Sequence, residues 1–149
     1  MADASQTGFE FPAFSFRVEG VKINEFVNAI GDDNPIFLDS KAAQKEGYAD
    51  TPCPPTFFSS AFQEFTGAYI RAFDTLGVSL ASVLHGEEEY EYLEEIYPGD
   101  VLKCRMRIES IIEKETKTGK MDLITLRTLF TNQQGQNVLQ AKSLIIERS

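Results

Sequence analysis

Few side chains in this sequence can move a proton or attack an electrophile. There is one histidine, His85, followed by Gly86 and a run of glutamates; two cysteines, Cys53 and Cys104, stand far apart. The loop Gly31-Asp32-Asp33-Asn34-Pro35-Ile36-Phe37-Leu38-Asp39 gathers three carboxylates around an aromatic ring. A carboxylate such as Asp32 can accept a proton, but with an ordinary pKa of about 3.9 it returns one poorly at neutral pH, whereas imidazole, at about 6.5, does both. Phe37 does neither, in a loop where a polar group is the more natural occupant. His85 and Glu87 offer two metal ligands, too few for a site, and a lone histidine is most often structural. Cys53 beside Pro54 reads as a small packing residue sooner than a nucleophile served by His85. No nucleophile elbow, phosphate loop or dinucleotide fingerprint is present, and neither metal nor cofactor is expected.

The elements that position these residues follow from periodicity. Phe14, Phe16 and Val18 alternate with Ser15, Arg17 and Glu19, a short strand. Ile23, Phe26, Val27 and Ile30 recur at helical spacing, and Gly31 stops that helix. Pro35 biases Asn34 away from helix, so the segment to Asp39 is extended or turned. Ser40 caps a short helix holding Ala42 and Ala43 and ending near Gly47. The Pro-rich passage Thr51-Pro52-Cys53-Pro54-Pro55 precedes the most apolar helical pattern: Phe58, Phe62, Phe65, Tyr69, Ala72, Phe73 and Leu76, widened by Phe57, Ala61 and Ala68. Thr56 caps this helix, whose N-terminus could polarise a carbonyl. From Ser82 the period becomes two, with strands at 83–93, 101–113, 121–131 and 137–147, separated by turns at 97–100, 117–120 and 132–136. Short connections predict an antiparallel meander covering the helix. The expected class is α+β, a single domain over 1–149: a long central helix wrapped by an antiparallel sheet.

Composition bounds the partners. At 149 residues and 42% apolar content the chain can bury a core without staples, and no apolar run is long enough to span a membrane. The start MADASQTGFEFP lacks a secretory pattern, and two widely spaced cysteines fit a reducing compartment, so the expected location is cytoplasmic. A net charge of −9 repels nucleic acid and anionic membranes, and neither is an expected partner. Lys103, Arg105 and Arg107 share one face of their strand. They are either a basic stripe for phosphates or an acidic carrier protein, or cross-strand partners of Glu87, Glu89 and Glu91. The turn at Pro98-Gly99 makes the two strands neighbours and favours the pairing.

Taken together, these motifs carry a resemblance. Gly31, Asp32, Asn34, Pro35, Ile36 and Asp39 resemble the signature loop of MaoC-like (R)-specific enoyl-CoA hydratases and hydroxyacyl-ACP dehydratases. Ala42-Ala43 with Gly47-Tyr48, Pro54-Pro55-Thr56-Phe57, Leu84-His85-Gly86-Glu87-x-Glu89-Tyr90-x-Tyr92 and Pro98-Gly99-Asp100 are similar to the N-terminal (FAS1-like) dehydratase branch, which includes acyl-binding subunits of heteromeric dehydratases. The similarity covers nearly the whole chain. It implies a hot-dog fold, dimers whose sheets join, and an acyl chain lying at the subunit interface. In catalytic members the aspartate and a histidine five residues on hold the water that adds to a 2-enoyl thioester; Asp32 matches the first, and Phe37 stands in place of the second.

The resemblance therefore implies an acyl-thioester-binding, non-catalytic subunit, taking acyl-CoA or acyl-ACP, with Phe37 on an apolar tunnel and a MaoC-like catalytic subunit, or a second copy, as partner. On this resemblance Asn34, Pro55, Thr56 and Phe57 line the substrate site, and His85 and Gly86 its mouth, where the glycine admits the ligand; Asp32 and Asn34 read equally as residues that cap the first helix and shape the turn. Two alternatives stand beside it: a self-sufficient homodimeric hydratase or thioesterase using Asp32, with or without His85, and an acyl-CoA-binding module without chemistry.

Overall fold

In the computed structural model the described residues are 2–59, 66–116 and 119–148. The first alternating segment forms β1 (Phe14–Arg17), which buries Phe16 and leads to the buried Val18. The 3.6-residue pattern that follows gives α1 (Gly20–Ile30), with Ile23 and Val27 buried and Phe26 packed at the margin. Ile30, expected on the same stripe, is 51% exposed at the last residue of the helix, one turn beyond the buried Val27. After a 3₁₀ turn (Pro35–Phe37) comes α2 (Ser40–Lys45). Of the long helix, α3 (Thr66–Leu76) and the helical backbone at Phe58 and Ser59 are described; Phe62 and Phe65 lie outside the described residues.

Four long strands complete the chain: β2 (Val83–Tyr92), β3 (Val101–Thr116), β4 (Gly119–Thr131) and β5 (Asn137–Arg148). All pairings are antiparallel, and the sheet order is β1-β3-β4-β5-β2. Alternation is clear on β4, where Ile124, Leu126, Thr128 and Phe130 are buried and their odd-numbered neighbours are not. The inner face meets α3 through Ala72, Phe73 and Leu76, which pack with Met106, Ile108, Ile124 and Ile145. At the other end Phe57 and Phe58 close on Phe16, Phe130 and Tyr92, with ring centroids 5.3–6.3 Å apart. Such edge-to-face and tilted contacts add to the roughly 1.5–3 kcal/mol expected from burying each large apolar side chain.

The expected meander is correct for β3, β4 and β5 and wrong for β2. The Tyr97-Pro98-Gly99-Asp100 turn has proline second and glycine third with φ +95°, the pattern of a type II turn, which splays strands instead of closing a tight hairpin. Gly99 donates its N–H to Val18 O, 2.8 Å away, so the chain enters β3 beside β1. Between β2 and that turn it crosses the end of the sheet and buries Ile96. The cross-strand pairing expected between Lys103, Arg105, Arg107 and Glu87, Glu89, Glu91 is therefore overturned: β4 and β5 lie between the two stripes.

Candidate functional site

The Asp32 loop is built by local hydrogen bonding. Gly31 takes φ +70° to end α1, and Asp32 N–H returns to Val27 O at 3.1 Å. The Asp32 carboxylate accepts Asn34 N–H at 2.9 Å, and the Asn34 side-chain oxygen accepts Ile36 N–H at 3.2 Å, launching the 3₁₀ turn at Pro35. Asp39 then caps α2 through Lys41 N–H at 2.7 Å and Ala42 N–H at 3.3 Å. The cap is thus Asp39 and not Ser40, since a carboxylate one residue earlier reaches both free amides.

This turn rotates Phe37 inward. It is 8% exposed and belongs to the cluster of Phe16, Val18, Val27, Cys53, Phe57 and Phe58. The ring that looks exposed in the sequence is a core residue. Asp32 is half-buried and Asn34 exposed. Beside them, between the 3₁₀ turn and α2, opens a groove of about 390 Å³ lined by Asn34, Pro35, Ile36, Ala42, Lys45 and Tyr48, among others. Phe37 is not on its wall.

Pro55 and Thr56 sit in the turn just before Phe58, and both are exposed, while Phe57 is buried. Thr56 meets the start of the helical stretch through its carbonyl, which accepts Ser59 N–H at 3.0 Å and Ser59 Oγ at 2.8 Å. Tyr92, at the end of β2, donates its hydroxyl to Pro55 O at 2.9 Å, fixing this turn to the sheet. Cys53 is buried nearby with its N–H on Ile96 O. Burial, reinforced by Asp100 and Glu95, drives its thiol far above the ordinary range, and burial alone pushes Cys104 up to about 12. Neither supplies a thiolate near neutral pH.

His85 and Gly86 form a separate group. His85 is seven residues from Tyr92 on an extended strand, roughly 20 Å away, and its neighbours Val83 and Ile145 belong to the other core cluster. Within one chain the structure does not bring His85 to Asp32. His85 Nε2 lies 2.8 Å from Glu88 Oε1, a pair on the helix-facing side of β2, with the Glu88 carboxylate packed beside buried Ser143. Gly86 is the extra residue of a bulge between His85 and Glu87. A Cβ there would lie 3.1 Å from Leu144 O and 3.2 Å from Ile146 Cδ1, so the close approach it permits is that of β5.

Sequence reasoning missed a row of buried polar groups on the inner face. Asp122 and Glu147 are register partners at one end, and Asp122 Oδ2 accepts Ala2 N–H at 2.6 Å. Thr128 and Ser143 lie further along. Their signal was available: each falls in phase with the apolar residues of its strand. Among the described residues no three His, Cys, Asp or Glu side chains gather as metal ligands, and no helix is long and apolar enough to cross a membrane.

A sheet laid on one helix, with a signature loop at one end and an open edge strand, defines the class. The profile of the family described as FAS1-like, dehydratase domain region, matches residues 5–141, and the chain belongs to that family. It is similar to the UPF0336 protein of Streptomyces avermitilis, with 30% identity over 99% of this chain and 95% of that one. It also matches the UPF0336 protein of Saccharopolyspora erythraea, with 32% identity over 98% and 91%. Among solved structures it resembles a MaoC-like dehydratase, with a TM-score of 0.83 and 26% identity over 97% of this chain and 43% of that one. The Mycobacterium tuberculosis HadBC (3R-hydroxyacyl-ACP dehydratase) complex gives a TM-score of 0.78 and 24% identity over 95% and 96%. The fold is the hot-dog fold of these dehydratases.

Proposed function

We propose that this chain is the acyl-thioester-binding, non-catalytic subunit of a heteromeric (R)-specific enoyl-CoA hydratase or 3-hydroxyacyl dehydratase. The observation that carries this reading is Phe37. The loop keeps Asp32 and its turn, but the position that the resemblance gives to the base holds an apolar ring packed into the core. A hydration needs a group that takes and returns a proton near neutral pH, and nothing at that position does so. A partner of the MaoC-like class supplies the complete Asp–His pair, and the assembled names of relatives such as HadBC and the ChsH1-ChsH2 complex are in keeping with subunits that work in pairs. The long edge strand β2, with no neighbour on its outer side among the described strands, offers the surface for joining such a partner.

The test uses the purified chain alone and mixed with a MaoC-like chain carrying an intact Asp–His pair, with crotonyl-CoA and longer 2-enoyl-CoA substrates. The expected result is no turnover alone, and in the mixture a stable complex with altered chain-length preference. Failure to form a complex, with unchanged preference, overturns the proposal.

One observation favours a second reading, the homodimeric enzyme. The His85–Glu88 pair sets an imidazole beside a carboxylate on the inner side of the open edge. If two copies joined antiparallel through β2, the second copy's His85 end would lie beside the first copy's Tyr92 end, which holds Pro55. This reading requires turnover by the chain alone that both Asp32→Asn and His85→Gln abolish.

A further inference from the structure

The outward face of the sheet carries two charged stripes that the topology keeps apart. On β2 at the edge stand Glu87, Glu89 and Glu91, all exposed; on β3, three strand spacings or about 14 Å away, stand Lys103, Arg105 and Arg107, also exposed. Register places them in shared rows. Glu89 pairs with Lys142, Lys142 with Arg127, and Arg127 with Arg107. Glu91 pairs with Gln140, Gln140 with Leu129, and Leu129 with Arg105. A third row, Leu84, Ile146, Leu123 and Ile112, is apolar from side to side, with Leu84 45% and Ile112 56% exposed.

Among the described residues the ion pairs of this face do not join the stripes. Arg127 is held by Glu109 in a two-pronged contact at 2.6 and 3.2 Å, Arg107 approaches Glu109 at 3.9 Å, and Lys142 approaches Glu89 at 3.7 Å. Arg105, Arg107 and Arg127, with Glu10 as the one carboxylate among them, meanwhile line an open cavity of about 320 Å³ on the same face. Arg127 is taken up by Glu109, so in a chain of net charge −9 it is Arg105 and Arg107 that mark a place that attracts carboxylates.

We infer that this face is self-complementary and takes a second copy of the same chain. Two sheets stacked about 10 Å apart can be related by a two-fold axis lying between them. An axis parallel to the strands, running between β4 and β5, lays β2 of each copy over β3 of the other and leaves every row facing its own equivalent. Glu89 then meets Arg107, Glu91 meets Arg105, and the apolar row meets itself. An axis across the strands would instead put glutamates on glutamates, so charge selects the first arrangement. The Arg127–Lys142 juxtaposition it creates is relieved by Glu109, which holds Arg127, and by Glu89, which lies 3.7 Å from Lys142 of its own copy and is shared with Arg107 of the other.

Four strands about 4.8 Å apart and about eight residues of about 3.3 Å along each give a patch of roughly 500 Å² per copy, at the lower limit of a specific interface, so the association is salt-sensitive and of moderate strength. It uses the outer face and leaves the β2 edge free, so it holds whether or not the proposed catalytic partner binds there.

The test is charge reversal with mixing, read as mass by sedimentation velocity on the full chain at low and high salt. Arg105→Glu/Arg107→Glu and Glu89→Arg/Glu91→Arg are each expected to halve the wild-type mass, and an equimolar mixture of the two to restore it. High salt is expected to halve the mass of the wild type. Variants that keep the wild-type mass, or a mixture that stays at the halved mass, overturn the inference. If the wild type already has the variants' mass but binds polyglutamate through Arg105 and Arg107, the basic stripe serves an acidic partner and the inference likewise falls. Neutral Arg105→Gln, expected to weaken association several-fold, guards against misfolding of the reversed chains.

Discussion

Replacing Phe37 by histidine probes the core and the chemistry at once. The ring is 8% exposed and packs in the cluster of Phe16, Val27, Cys53 and Phe57. Losing most of its apolar burial costs about 1.5–3 kcal/mol, and placing imidazole nitrogens there without partners costs about 1–3 kcal/mol more. The sum, about 2.5–6 kcal/mol, is a large share of a typical domain stability. At a urea slope of roughly 1.5–2 kcal/mol/M it moves the unfolding midpoint down by roughly 1–4 M. Burial also lowers the pKa of the imidazole. The unfolded chain then binds more protons than the folded one, so the variant loses further stability as pH falls below about 6.5, a trend the wild type lacks at this position. Phe37→Leu, which keeps the site apolar, is expected to cost only roughly 1–1.5 kcal/mol at every pH. The assay is urea unfolding followed by far-UV circular dichroism at pH 8 and pH 5.5. Midpoints of Phe37→His within about 0.3 M of wild type at both pH values would refute the reasoning, because a buried ring cannot be exchanged for imidazole without cost. Hydration of crotonyl-CoA is read on the same samples at pH 8, and activity above that of wild type is the result expected if Asp32 lacked only its base.

Further outcomes follow from the same contacts. Gly86→Ala forces a methyl against Leu144 O and Ile146, so it should destabilise by about 1–3 kcal/mol in thermal unfolding; an unchanged midpoint would show that β5 yields freely. Native Cys53 and Cys104 should resist iodoacetamide at pH 8 and react once urea unfolds the chain, because burial raises both thiols; labelling of the native protein at the unfolded rate would contradict that burial. The Arg127 hydrogen bond holds the Glu109 carboxyl below the usual carboxylate range. Its contribution is therefore present above pH of about 4.3 and is lost as pH falls through the lowered folded value. The stability gap between wild type and Glu109→Gln should accordingly narrow from pH 6 to pH 3; a constant gap would rule out this ion pair as its source.

Much of the fold was legible because local rules and burial agree. The strands expected at 101–113, 121–131 and 137–147 are found at Val101–Thr116, Gly119–Thr131 and Asn137–Arg148, since each alternates against a buried face. Gly31 ends α1 as its freedom at positive φ predicts. The site was legible as a motif and illegible as geometry. Of the two readings open for Asp32 and Asn34, the turn-shaping one is seen in their hydrogen bonds, whereas the inward rotation of Phe37 depends on a 3₁₀ turn that a Pro-containing loop only permits.

What the sequence alone determined is the set of elements, their faces and an apolar ring at position 37 that neither takes nor returns a proton, because these rest on residue type and short-range periodicity. Tertiary structure decided which strands are neighbours. The Pro98-Gly99 turn could have closed a hairpin, but Ile96 is buried and Gly99 bonds to Val18, so the chain carries β3 to the far side of the sheet. That single crossover separates the glutamates of β2 from the arginines of β3 and leaves β2 as an open edge, with His85 at the opposite end of the strand from the Pro55 turn. Strand adjacency is a long-range property, set by which apolar surfaces can be buried together, and no local pattern encodes it.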